Sequence, residues 1–246
     1  MSTLPFEHYI FDLYGTLADI RTEEKSRALW EKTALYYTEN GAAYTAKELR
    51  RAYLRLCAGE QARHRDALYE IELRRVFRAL YTEKGVKADR RRVEDTALFF
   101  RIHSLKYLRR YDWVLPTFAA LRERGAGIWL LSNAQSCFTL PELRALKLID
   151  AFDKIYISSD AHIKKPDPRF LRKLLTENGL IPERCLMIGN DQHADVAVAH
   201  AVGMPALYLQ TETSGVYDPA LGAEYELLDG DYSKLPALLG LKENKE

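Results

Sequence analysis

Short apolar runs recur along this chain, each giving way to polar residues, with segments of helical spacing between them. The runs are Tyr9-Ile10-Phe11, Gly127 to Leu131, Ile155-Tyr156-Ile157, Cys185 to Ile188 and Pro205 to Leu209. Phe118 to Glu123, Leu140 to Leu148, Arg169 to Asn178 and Ala194 to Val202 carry the helical pattern. Strands buried on both faces read as continuous apolar runs, and their alternation with helices predicts an α/β fold. The expected core is a parallel sheet with helices on both faces. In such folds ligands bind outside the carboxyl ends of the strands.

One stretch breaks the alternation. Thr22 to Arg110 contains no proline, and Gly41, Gly59 and Gly85 offer natural breaks. Leu29, Thr33, Leu35 and Tyr36 are spaced for one helix, and Leu49, Tyr53 and Leu56 for a second. Ile71, Val76, Phe77 and Leu80 suit a third, and the series from Val93 through Leu105 to Leu108 suits a fourth. The pattern predicts an all-helical subdomain at 20–111, inserted into a core made of 1–19 and 112–246. Charge marks the same division. Residues 20–111 hold 22 Lys/Arg and 13 Asp/Glu, a net +9, whereas the rest holds 14 and 22, a net −8. The basic excess could draw anionic substrates, although most of these arginines, Arg90-Arg91-Arg92 included, read as solvated helix surface.

The whole chain carries a net charge of +1, which gives no reason to expect nucleic acid or a membrane as partner. No apolar run approaches the roughly 20 residues that span a bilayer. The three cysteines, Cys57, Cys137 and Cys185, are far apart and form no CxxC pair, so they read as reduced thiols. Met1 to His8 lacks a signal-peptide pattern, which leaves the cytoplasm as the expected location. Lys242 to Glu246 are expected to be frayed.

Four strand ends carry chemistry. Asp12 follows the first run beside Gly15 and Thr16, where a carboxylate can attack phosphorus or an activated carbon. Ser132 and Asn133 follow Leu131, where a hydroxyl and backbone amides can hold an oxyanion. Lys165, held extended by Pro166, can neutralise both a nucleophile and a transferring group, and Lys164 is the more solvent-facing of the two. Asp191 and Asp195 follow the run that ends at Ile188. Asp191 lying near Asp12 would crowd two carboxylates together, and Mg²⁺ would relieve this through a few carboxylates and waters. Each residue also has an ordinary alternative: a turn-forming Asp, a helix-capping Ser or Asp, an exposed loop Lys. The ordered set is what argues against all four being ordinary.

Taken together, these motifs resemble the haloacid dehalogenase-like hydrolase superfamily over nearly the whole chain. Asp12-Leu13-Tyr14-Gly15-Thr16-Leu17 is similar to its first motif, Ser132 to its second, Lys165 to its third, and Asp191 with Asp195 to its fourth. The family it resembles has a Rossmann-like core, and many members carry a helical cap inserted after the first motif. The resemblance implies that Asp12 is the nucleophile and that Asp12, the Tyr14 carbonyl and Asp191 bind Mg²⁺. Thr16, Ser132, Asn133 and Lys165 would bind the substrate's phosphoryl group, with Asp195 in support. The implied substrate is a small phosphorylated metabolite, and the implied state a monomer or homodimer.

Tyr14 departs from the pattern. Phosphatases of the superfamily usually carry there a second Asp that protonates the leaving alcohol, help worth about 10²–10⁴-fold. Tyr in this place resembles the metal-free 2-haloacid dehalogenases, which need a halide cradle; Arg21 and Arg27 are candidates by location. Arg63, Arg65 and Glu70 lie near an inter-helix turn from which they can reach the cleft. The acidic pair favours Mg²⁺-dependent phosphatase chemistry over the dehalogenase. A catalytically weak member that binds a phosphorylated ligand is the third reading.

Overall fold

The computed structural model describes residues 5–241; the expected fraying at Lys242 to Glu246 lies outside them. Tyr9, Ile10 and Phe11 are fully buried, which an all-apolar run achieves only between two covered faces. They lie in β1 (His8–Phe11). The chain continues through β2 (Ala18–Thr22), α1 (Arg27–Glu39), α2 (Ala46–Ala62), α3 (Leu73–Thr82), α4 (Arg90–Ser104) and β3 (Leu105–Arg110). Next come α5 (Val114–Glu123), β4 (Gly127–Ser132), α6 (Ser136–Ala145), β5 (Lys154–Ile157), α7 (Ser158–Ala161) and α8 (Pro168–Asn178). The remainder is β6 (Cys185–Gly189), α9 (Ala197–His200), β7 (Ala206–Leu209), β8 (Tyr225–Leu227) and α10 (Leu235–Leu238).

Six strands form one sheet in the order β5-β4-β1-β6-β7-β8, and every pairing is parallel. Alternate side chains point to opposite faces. Phe11, Leu130 and Ile188 therefore face α5, α6 and the C-terminal leucines Leu235 and Leu239. Ile10, Trp129, Leu131 and Met187 face α8 and α9 through Phe170, Leu174 and Val198. This is the expected Rossmann-like architecture. The carboxyl ends of β1, β4 and β6 become neighbours at its centre.

Helices α1–α4 share a second hydrophobic cluster around Trp30, Tyr53, Phe77, Leu80 and Phe100, and Cys137 and Phe138 of α6 close it from the core side. Thr45 caps α2 in a reciprocal box with Glu48, and Asp89 caps α4. Two expectations fail here. Gly59 lies inside α2 and does not break it. It faces open space, so the helix tolerates its entropic cost. The fourth helix stops at Ser104, and Leu105 and Leu108 belong to β3, which pairs antiparallel with β2. Ladder bonds, with the Arg109 guanidinium 2.7 Å from buried Asp19, outweigh the helical spacing of two leucines. The sequence reading also missed β2 and the edge strand β8. All three cysteines are free thiols. No helix among the described residues is long and apolar enough to cross a membrane.

Phe100 is fully buried and packs its ring near those of Trp30, Tyr53, Phe77 and Phe138. Phe100→Ala should cost about 3–5 kcal/mol in chemical denaturation. A cost below about 1 kcal/mol would show that this cluster is not a true core.

Candidate active site

Asp12 sits one residue past β1, and its amide still donates to the Ile188 carbonyl at 2.9 Å. The sheet therefore fixes its backbone. The chain then turns sharply, with the amides of Thr16, Leu17 and Ala18 all donating to the Leu13 carbonyl. Gly15 makes this turn possible. Its φ is +83°, and an added Cβ would lie 2.4 Å from both Asn190 Nδ2 and Thr213 Oγ1.

Lys165 holds the centre. It is 3% exposed, and its ammonium donates to Asp12 Oδ1 at 2.7 Å, the Leu131 carbonyl at 2.8 Å and Asp195 Oδ1 at 2.6 Å. Burial alone would lower the lysine's pKa, but the two carboxylates outweigh it and raise it, so the ammonium stays charged. Burial raises the pKa of Asp195, the Asp12 charge adds to this, and Lys165 opposes it. Asn133 positions the lysine: its amide group donates to the Lys165 carbonyl at 2.9 Å and accepts from the Lys165 N–H at 2.8 Å.

Asp195 also accepts from the Asp191 amide at 3.0 Å. Gly189 leaves room for it, since a Cβ there would lie 2.1 Å from Asp195 Oδ2. Asp191 is exposed at the cleft, and its Oδ1 accepts from the amides of His193 (2.9 Å) and Ala194 (3.2 Å). Ser132, at the end of β4, is fully buried, and its Oγ has no hydrogen-bond partner among the described residues. A buried orphan hydroxyl is costly unless something absent from the apoprotein satisfies it.

Tyr14 turns away from this chemistry. Its hydroxyl lies 3.0 Å from Thr139 Oγ1 and donates to Glu142 Oε2, which puts it against α6. Arg101 of α4 donates to Glu142 Oε1 at 2.6 Å. Burial first, and the Glu142 carboxylate second, raise the phenol far above its ordinary range. The Tyr14 side chain thus ties the turn after Asp12 to α6 and α4.

The cleft encloses about 410 Å³. Asp12, Lys165, Asn133, Asp191 and Asp195 line it with Tyr14, Gly15, Ile20, His193 and Thr213, and none of α1–α4 contributes. Like Ser132, Thr16 is not in the lining. It is fully buried, and its hydroxyl donates to Asn190 Oδ1 at 3.2 Å and, at a long 3.4 Å, to Asp12 Oδ2. Arg27 is exposed and pairs with Glu31, and Arg21 is exposed on β2, so neither forms a halide cradle in this conformation. Arg63 pairs with Glu60 on the surface, and Arg65 is exposed. Glu70 accepts from Ser158 Oγ and Gln135 Nε2, both at 3.2 Å, and does not reach the cleft.

Sequence reasoning missed Asn190. It is buried, and its amide bonds Thr211, Thr213 and Ser214 at 3.2–3.4 Å, joining the loop after β7 to the turn after Asp12. A polar amide directly after the buried run of β6 was the available signal. Glu142, Thr139 and Arg101 left none, because α6 and α4 lie far along the chain from Tyr14 and meet it only in the fold.

Among the described residues no three His, Cys, Asp or Glu side chains cluster as a metal cage. The cleft instead offers Asp12 and, with no hydrogen bond to either among the described residues, Oδ2 of Asp191 and the Tyr14 carbonyl. Few protein oxygens beside an open cleft suit Mg²⁺, which keeps waters and takes substrate oxygens.

The sequence matches the haloacid dehalogenase-like hydrolase family over residues 6–203, and the chain belongs to that family of hydrolases. It is 34% identical over 143 residues to the phosphoserine phosphatase of Thermus thermophilus, covering 55% of this chain and 53% of that protein. The match thus spans about half the length of that relative. It is 28% identical over 248 residues to the phosphoglycolate phosphatase of Salmonella typhimurium, covering 93% of this chain and 90% of that one. The fold resembles the 2-haloacid dehalogenase of Pseudomonas syringae pv. Tomato (TM-score 0.64, 21% identity, 96% of this chain and 98% of that one). It also resembles a HAD phosphatase from Thermococcus onnurineus (TM-score 0.60, 20% identity, 95% and 98%). Fold likeness alone therefore does not divide the two reactions.

Lys165→Met should leave two buried carboxylates without a cation and cost about 3–5 kcal/mol at neutral pH. A carboxylate whose folded-state pKa is raised takes up protons on folding, so the loss should shrink as pH falls toward about 4. Denaturation of both proteins across pH checks this; a pH-independent gap would contradict it.

Proposed function

We propose that this hydrolase is a Mg²⁺-dependent phosphatase of a small phosphorylated metabolite, working through a covalent aspartyl-phosphate on Asp12. The observation that carries the reading is the Ser132 hydroxyl. It lies buried and unpartnered between Leu131, whose carbonyl holds Lys165, and Asn133, which lines the cleft; it stands just behind the lining, and in this reading a phosphoryl oxygen would satisfy it. In this reading Asp12 attacks phosphorus, Lys165 holds the carboxylate in position and offsets the growing charge, and Asp195 keeps Lys165 in place. Asp12, the Tyr14 carbonyl and Asp191 would hold Mg²⁺, which when bound would neutralise the transferring phosphoryl oxygens. The curated relatives named as phosphatases support this reaction class. Thr16 and Asn133 serve as supports for Asp12 and Lys165, since their side chains are already committed.

The same reading takes residues 20–111 as a cap on a core of 1–19 and 112–246, in a cytoplasmic monomer or homodimer acting on neither nucleic acid nor membrane. Tyr14 favours a second reading, a metal-free 2-haloacid dehalogenase, against which stands the exposure of Arg21 and Arg27.

Phosphate release from a panel of small phosphate esters should require Mg²⁺ and fall to background in EDTA and in Asp12→Asn. Release that survives EDTA, or halide release from 2-chloropropionate without metal, would overturn the proposal.

A further inference from the structure

We propose that the substrate is a phosphate compound whose leaving oxygen departs without a proton, such as an acyl or acidic aryl phosphate, and not a simple alkyl ester. The inference rests on the phosphatase reading and adds the class of leaving group. It comes from an inventory of the proton donors that line the cleft. Lys165 spends three donor bonds on Asp12 Oδ1, the Leu131 carbonyl and Asp195 Oδ1. The Tyr14 hydroxyl is committed to Glu142, itself clasped by Arg101. Asp191 and Asp195 accept backbone amides. The hydroxyls of Thr213, on the lining, and of Ser132, buried behind it, can bond a phosphoryl oxygen but are poor acids.

His193 remains. It lines the cleft but is exposed, and its imidazole has no hydrogen-bond partner among the described residues to orient it. Efficient proton transfer needs a positioned group, and its absence costs about 10²–10⁴-fold when the leaving oxygen is basic. An acyl or acidic aryl oxygen escapes that cost.

The step balances without a donor. An Asp12 oxygen bonds to phosphorus, the bond from phosphorus to the leaving oxygen breaks, and that oxygen keeps the electron pair and leaves as carboxylate or phenolate. Water then attacks the same phosphorus. The bond to Asp12 breaks, the carboxylate is restored, and the water proton passes to solvent.

The test is kcat/KM, with Mg²⁺ present, across phenyl phosphates of similar size and graded leaving-group acidity, with acetyl phosphate and phosphoglycolate as the acyl and alkyl ends. The unmodified protein and His193→Gln are compared. From para-nitrophenyl to unsubstituted phenyl phosphate, kcat/KM should fall by about 10²-fold or more, equally in both proteins. Phosphoglycolate should be slower still, and acetyl phosphate among the fastest. A shallow dependence in the unmodified protein, or one that steepens in His193→Gln, overturns the inference while leaving the phosphatase reading intact. No Asp12-dependent release from any member of the series overturns both.

Discussion

One ammonium between two carboxylates organises the centre of this molecule. Asp12 and Asp195 come from different strand ends, and Lys165 reaches both from a third segment while also bonding the end of β4. Burying three charges is expensive, and the arrangement is tolerable only because each charge meets another or a hydrogen bond. The surrounding residues serve that geometry. Asn133 fixes the Lys165 backbone, Gly189 admits the Asp195 carboxylate, and Gly15 lets the nucleophile turn pass Asn190 and Thr213. The site is thus a product of the sheet order, which brings β1, β4 and β6 side by side.

Helices α1–α4 and their connections touch the core at several places, and two of these stand beside the centre. Tyr14 meets Glu142 and, through it, Arg101 of α4. The segment between α2 and α3 docks on the loop that leads to Lys165. There the Lys164 amide donates to the Leu68 carbonyl at 3.0 Å and that of Glu70 to the His162 carbonyl at 3.3 Å. Tyr69 stacks between the rings of His64 and His162. Both contacts lie beside residues given chemical roles, yet the helices place no side chain in the cleft lining.

The sheet was legible because runs such as Cys185 to Ile188 admit few environments other than a buried strand. The acidic pair, Lys165 and Asp12 were legible because the ends of such strands are where polar residues need a reason. What escaped depended on distant partners. Leu105 and Leu108 fit a helical spacing, and only pairing with β2 makes them strand. Thr16 and Asn133 carry groups suited to phosphate, but their bonds to Asn190 and Lys165 are fixed by tertiary contacts that no spacing encodes. The meaning of Tyr14 lay in Glu142, 128 positions away.

The central claim is that Asp12 is the nucleophile that accepts the phosphoryl group in a site held together by Lys165. Rapid acid quench during turnover of a phosphorus-labelled substrate, followed by peptide mapping, tests it most directly. The account predicts an alkali-labile label on the peptide that contains Asp12. Turnover with no protein-bound label, or with the label on another residue, would contradict it.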